Sequence, residues 1–292
     1  MASEFGFAAA LDVLQAAIVA AMCGCSAAFA QDNGATTAPV CGDAAITDGT
    51  VNRIGDGRTL TLDDGREVRL AAIDVPPPPA PQDAGTNADR WGAAEKEALD
   101  ALAGGDRVLL RGAQADADRY GRIVAYAYTE RDGDQAADRL FVQGELIAAG
   151  LARVADRAGG QACASALLAR ENAARKAKLG LWADPYYDLL DAQAPADVLA
   201  HKGQFTLVEG KVVSVRESGP TIYLNFGQRW SEDFAVTVRK RNERIFADAG
   251  LDLKGLEGRR LIVRGFVEAR GSRGMPSIEA ERPEQIETSD RD

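Results

Sequence analysis

Glu67-Val68-Arg69-Leu70-Ala71-Ala72-Ile73-Asp74-Val75-Pro76 is the stretch on which the fold turns. Val68 to Ile73 is an apolar run of β type that ends at Asp74, immediately ahead of a proline-rich segment. Working upstream, Val51 to Ile54 and Thr59 to Leu62 are two more short runs of this kind, and Asp63-Asp64-Gly65 supplies a turn, so a β-meander is expected. Working downstream, Pro76 to Pro79 and the polar residues to Asn87 predict a stiff extended loop, because prolines have no backbone N–H to give to a sheet. Ala88 to Ala103 then predicts a helix, with Gly104-Gly105 as its stop.

Arg107 to Leu110 and Ile123 to Tyr128 are further strand-like runs, separated by a polar loop that holds Asp116, Asp118, Arg119, Tyr120, Gly121 and Arg122. A short helix is expected around Gln143 to Ala149, ending at Gly150, and a longer alanine-rich one over Gln161 to Lys178, ending at Gly180. Five strands with helices after the third and fifth point to an OB-type barrel. Asp191 to Leu199, mostly Ala and Asp, reads as a linker. Beyond it, Leu207 to Val215, Thr221 to Phe226, Phe234 to Val238, Arg260 to Val267 and Ser277 to Ile278 form a second set of strands, with turns at Ser218-Gly219-Pro220 and Gly271 to Gly274.

The 292 residues suit two compact units, at roughly 100–200 residues per domain. A net charge of −10 argues against binding nucleic acid by bulk field, which depends on many Lys and Arg contacts, but leaves room for a local basic pocket. At the N-terminus, Val13 to Ala21 is apolar apart from Gln15, and Ala28-Phe29-Ala30 has the small-x-small form of a cleavage site. Residues 1–30 are therefore expected to be a signal peptide, the alternative being a retained anchor, and the mature chain to be exported, periplasmic or secreted, with no membrane span. Removal of Cys23 and Cys25 with the signal leaves Cys41 and Cys163, which in an oxidising compartment form either a disulfide or two free thiols. His201 is the only histidine, which argues against histidine catalysis and histidine metal clusters.

Five blocks resemble the staphylococcal nuclease (thermonuclease) family, in the family's order. They are Asp56-Gly57-Arg58-Thr59; Val68-Arg69-Leu70 with Ile73-Asp74-Val75-Pro76; Asp118-Arg119-Tyr120-Gly121-Arg122 with Ala125-Tyr126; Gly150-Leu151-Ala152-Arg153-Val154; and Lys178-Leu179-Gly180-Leu181-Trp182. The resemblance implies a mainly β, α+β chain: a nuclease-like OB-fold barrel with helices over 49–188, then a second small OB-like β-barrel over 203–287. Residues 31–48 and 189–202 are expected to be linkers and 288–292 a tail.

The same resemblance implies a calcium-dependent hydrolysis in which two carboxylates hold the metal, a glutamate acts as base and two arginines clamp the phosphate. Arg69 and Arg122 fall on the arginine positions and Asp74 on one metal carboxylate, while Arg58 occupies the place of the other, Val75 that of a threonine and Pro77 that of the base. Asp156 and Ala158 replace two nucleotide-stacking tyrosines, and Tyr120 remains, beside Arg119. Arg58, Arg69 and Arg122 are thus expected to converge on an anion pocket that needs no cofactor, with hydrolysis lost or strongly reduced and calcium involved only if the site is active; for Arg69 and Arg122 the alternative is a salt bridge to Asp74 or Asp118. An alternative is an active phosphodiesterase with a displaced base such as Asp64, Glu67, Asp83 or Asp89. Another is an envelope scaffold that uses the second barrel to bind a protein partner. In that barrel, Phe226 and Arg229-Trp230, with Arg239, Lys240, Arg241 and Arg244, form a candidate aromatic and basic surface of the kind single-strand binders use, weighed against plain packing.

Overall fold

A computed structural model of the chain describes residues 41–42, 44–76, 87–112, 117–130, 139–155, 161–271 and 273–289. The expected signal segment, Pro77, Asp83, Asp116, Asp156 and Ala158, and the side chain of Asp89, lie outside the described residues. The first part runs β1 (Ala45–Asp56), β2 (Thr59–Leu62), β3 (Glu67–Leu70), β4 (Ile73–Asp74), α1 (Asn87–Ala103), β5 (Arg107–Gly112), β6 (Ile123–Glu130), β7 (Leu140–Phe141), α2 (Val142–Ala148), β8 (Arg153–Val154) and α3 (Gln161–Lys176). Strands β3-β2-β1-β5-β6 are neighbours in that order, and a parallel pairing of β3 with β6 joins the two ends, so five strands close into a barrel.

Closure is possible because β1 is long and pairs with both β2 and β5, with register shifts between Val51 and Arg53 and between Ile54 and Asp56 that bend it around the core. Alternate residues of the strands, among them Leu60, Leu62, Val68, Leu70, Val108 and Leu110, fill that core. The run Val68 to Ile73, expected as one strand, is two. Ala72 sits at φ 63, a left-handed conformation that breaks the ladder, and Ile73-Asp74 pairs instead with Val154 and Arg153. Gly150 and Gly180 explain two of the sequence blocks at once: a Cβ on Gly150 would lie 2.2 Å from the Leu179 carbonyl oxygen, and one on Gly180 2.4 Å from that of Gly150.

The second part runs β9 (Leu190–Asp191), α4 (Pro195–Ala200), β10 (Phe205–Lys211), β11 (Ser214–Ser218), β12 (Thr221–Asn225), β13 (Ala235–Arg239), α5 (Glu243–Asp248), β14 (Arg260–Arg270), β15 (Met275–Glu279) and β16 (Ile286–Thr288). Neighbours follow the order β11-β12-β13-β15-β14-β10. β10 and β11 are halves of one continuous stretch that divides at Val212-Val213, where a single strand was expected, so the chain itself connects the two ends of the sheet. The third strand again pairs in parallel with the fifth, β13 with β15, which repeats the path of the first barrel and makes this a second OB-like unit. The stretch read as a linker is structured: β9 pairs with β10, and Ala192 and Val198 are buried in the second core.

The barrels meet through an apolar cluster of Ala174, Trp182, Phe205, Leu207 and Ile262. Beside it Arg264 has no exposed surface and pairs with Glu171 of α3 and with Glu287. Burial alone would lower the pKa of Arg264, but the two carboxylates outweigh it and hold the group firmly charged. No helix among the described residues is long and apolar enough to cross a membrane.

Cys41 and Cys163 form a disulfide across a sequence separation of 122 residues. The Cys41 segment is held a second time by Tyr128, whose hydroxyl accepts the Cys41 N–H at 2.7 Å and donates to the Cys41 carbonyl at 3.1 Å. Since the bridge restricts the unfolded chain over a long loop, Cys41→Ser/Cys163→Ser should lose about 2–4 kcal/mol of stability in denaturant titrations. Equal midpoints for the variant and the oxidised wild type would contradict this.

Candidate functional site

Pairing registers bring three arginines to one place. Thr59 of β2 lies opposite Arg69 of β3, and Arg69 lies beside Val124 of β6. Arg58 immediately precedes Thr59 and Arg122 lies two residues before Val124, so both flank Arg69 across the sheet. Electrostatics agree with this placement: the Arg69 guanidinium is pushed below its ordinary pKa first by burial and then by the charges of Arg58 and Arg122. Arg69 forms no ion pair with any described residue.

Each flanking arginine is set by a tight turn. The Asp56 carboxylate accepts the Arg58 N–H at 2.9 Å, and the Arg58 carbonyl accepts the Leu70 N–H at 2.8 Å, which fixes the β1–β2 turn against β3. Asp118 accepts the N–H groups of Tyr120 and Arg122 at 2.9 and 3.0 Å, and Gly121 closes the turn at φ 79. The other Asp118 oxygen takes Nε and Nη2 of Arg122 at 2.8 and 2.7 Å, which fixes the guanidinium. This contact draws the Asp118 pKa down to about 2; burial would raise it, and the hydrogen bonds from Arg122 outweigh that. Tyr120 is 65% exposed, with Arg119 and Arg122 at 4.7 and 5.0 Å from its ring centre.

Asp74 is 8% exposed and engaged on both oxygens, with Arg153 Nη2 at 2.7 Å and Arg58 Nη1 at 3.7 Å. Arg153 in turn lies over the rings of Tyr187 and Phe205, at 5.4 and 5.2 Å. Calcium needs six to eight oxygen ligands. Here the one carboxylate, Asp74, is shared by two guanidiniums, Arg58 and Arg153, so these residues do not fit a dication. No group of three or more His, Cys, Asp or Glu among the described residues is placed to hold a metal. Of the alternative bases, Asp64 is tied to Arg66 at 2.6 Å, and Glu67 is an exposed residue of β3.

One acidic residue of this region was not singled out from the sequence. Glu95 on α1 is 1% exposed, and neither of its carboxyl oxygens has a hydrogen-bond partner among the described residues. It packs under the Asp56-Gly57-Arg58 turn so closely that a Cβ on Gly57 would lie 2.7 Å from the Glu95 Cβ. Desolvation, with Asp74 second, pushes its pKa up to about 9, so it is a neutral acid at pH 7. Leu99 and Ala103, four and eight residues on, are also buried, so the available signal was a charge on the apolar face of the helix.

Between pH 4.5, the ordinary value, and about 9 the folded protein keeps a proton on Glu95 that the unfolded chain releases. Stability must therefore fall as pH rises through that window, by up to about 1.4 kcal/mol per pH unit, and below it the group contributes no pH dependence. Glu95→Gln should gain on the wild type steadily from pH 5 to pH 8.5 in urea unfolding. A stability difference that does not change with pH would refute the buried neutral acid.

No curated protein matches the chain. Residues 67–184, from β3 through α3 to Asp184, match the family model described as Staphylococcal nuclease homologue, so this part of the chain is a staphylococcal-nuclease-like domain.

Proposed function

We propose that the first barrel binds a phosphate group of a nucleotide or nucleic acid in the pocket of Arg58, Arg69 and Arg122, and that its hydrolytic activity is lost or strongly reduced. The observation that carries this reading is the cluster of three guanidiniums beside an Asp74 whose charge is already taken up by Arg58 and Arg153. Arg69, with no carboxylate partner among the described residues, supplies the positive charge, and Arg122, pre-oriented by Asp118, supplies paired N–H donors suited to a phosphate. Tyr120 offers its exposed ring to a base or sugar next to the bound phosphate, and Arg119 steadies that ring. Pro77 has no group able to take a proton from water, and losing a general base alone costs roughly 10²–10⁴-fold in rate.

The protein acts outside the cytoplasm after loss of residues 1–30. The Cys41–Cys163 disulfide is compatible with that location.

Calorimetry with a nucleoside diphosphate tests the pocket. Arg58→Ala and Arg69→Ala should each weaken binding by about 10- to 100-fold, the worth of one charge-assisted hydrogen bond, and the double variant should show no measurable heat. Unchanged affinity would end the proposal. On fluorescent single-stranded DNA and RNA with calcium, other divalent metals or chelator, the wild type should cleave no faster than Arg69→Ala/Arg122→Ala. Chelator-sensitive cleavage lost only in the variant would mean an active metal-dependent phosphodiesterase instead.

A further inference from the structure

The basic run flagged in the sequence of the second barrel is largely neutralised. Arg239 pairs with Glu279, Lys240 with Glu217, Arg229 with Glu232 and Asp233, and Arg244 with Asp248, while Phe226 is wholly buried against Phe234. A different surface is open. A groove of about 1010 Å³ runs over the β11–β12 face, between the β12–β13 connection and the β14–β15 hairpin, with Arg216, Tyr223, Trp230, Arg270 and Arg273 in its lining.

Arg216 and Tyr223 are direct cross-strand partners and so share one face of the sheet. Trp230 is 74% exposed at the rim, leaving a flat apolar ring in water in a chain with few aromatics. Its neighbour Ser231 accepts a hydrogen bond from Arg273 at 3.0 Å, so the Trp230 segment and the hairpin brace each other. In the lining, three arginines face one acid, Glu257, although the whole chain carries a net charge of −10. Arg270 and Arg273 spend part of their charge on Glu268, Glu279 and Glu232, whereas Arg216 forms no ion pair with a described residue. At the upper end of small-ligand pockets in volume, the groove has room for more than a single nucleotide.

We propose that this groove binds single-stranded nucleic acid, with unpaired bases stacking on Trp230 and Tyr223 and a backbone phosphate on Arg216. Two aromatic faces joined to a cation suit a polymer that has both flat rings and a negative backbone, and paired bases do not offer their faces. A neutral glycan also stacks on aromatic rings but has no use for Arg216. The site is separate from the arginine pocket and does not rest on it.

The test is fluorescence anisotropy with a labelled twelve-residue oligothymidylate, in chelator, on the full chain carrying Arg69→Ala/Arg122→Ala. Binding should persist in that background. Adding Trp230→Ala should weaken it about 10- to 100-fold and Trp230→Phe much less, as expected for the loss and retention of a stacking platform. Adding Arg216→Ala should weaken binding and flatten its salt dependence. Trp230 is exposed, so these variants should melt with their parent. No oligonucleotide binding in the pocket-disabled chain, affinity unchanged by Trp230→Ala, or displacement by a neutral oligosaccharide would overturn the proposal. Because every arm starts from the disabled pocket, failure of the groove and failure of the pocket read separately.

Discussion

A guanidinium with no exposed surface has to be enclosed by carboxylates and carbonyls, and Arg264 meets that demand by holding the two barrels together. It belongs to β14 of the second barrel, yet it takes Glu171 from α3 and donates to the Val154 carbonyl at 3.0 Å. Glu171 also accepts the Val154 N–H at 2.8 Å, so Val154 of the short strand β8 is gripped by both its N–H and its carbonyl. The residue before it, Arg153, is the one that reaches Asp74, and its guanidinium also lies over Phe205 of β10. A line of charge and backbone contacts thus runs from the second barrel to the arginine cluster of the first.

The same arrangement decides what the site can hold. Asp74 keeps its carboxylate, but two guanidiniums, Arg58 and Arg153, share it, and Arg58 in turn lies near Arg69, which also feels the charge of Arg122. Glu95 adds no negative charge at neutral pH, since burial keeps it protonated. The clustered guanidiniums supply the positive charge and the paired donors that the proposed phosphate site requires. On the proposed reading, these guanidiniums take up the negative charge that a dication would need and leave positive charge for a phosphate.

Much of the fold was legible because its signals are local. The apolar alternation of Thr59 to Leu62 and Val68 to Leu70, the Asp-Asp-Gly turn between them and the glycines at 150 and 180 each report a strand, a turn or a close backbone approach directly. The proximity of Arg58, Arg69 and Arg122 was legible for a different reason, since they lie in ordered blocks that resemble a known family. What escaped depends on contacts distant in sequence. Nothing local marks Ala72 as left-handed; the break is imposed by the pairing of Asp74 with Arg153, 79 residues away. The stretch from Asp191 to Leu199 is polar enough to read as a linker, and only its packing on the second core gives it structure. The basic run near Arg239 looked free because its acidic partners, Glu217 and Glu279, lie on other strands.

Phosphate binding in the first barrel, as proposed, is carried by arginines and needs no metal. The most direct measurement is the dissociation constant of a nucleoside diphosphate for the purified chain at fixed ionic strength, with and without calcium, after exhaustive chelation. The same affinity is expected in both conditions, with chelator causing no loss. Binding that appears only when calcium is added would contradict it, because Asp74 would then be serving a metal and not the guanidiniums around it.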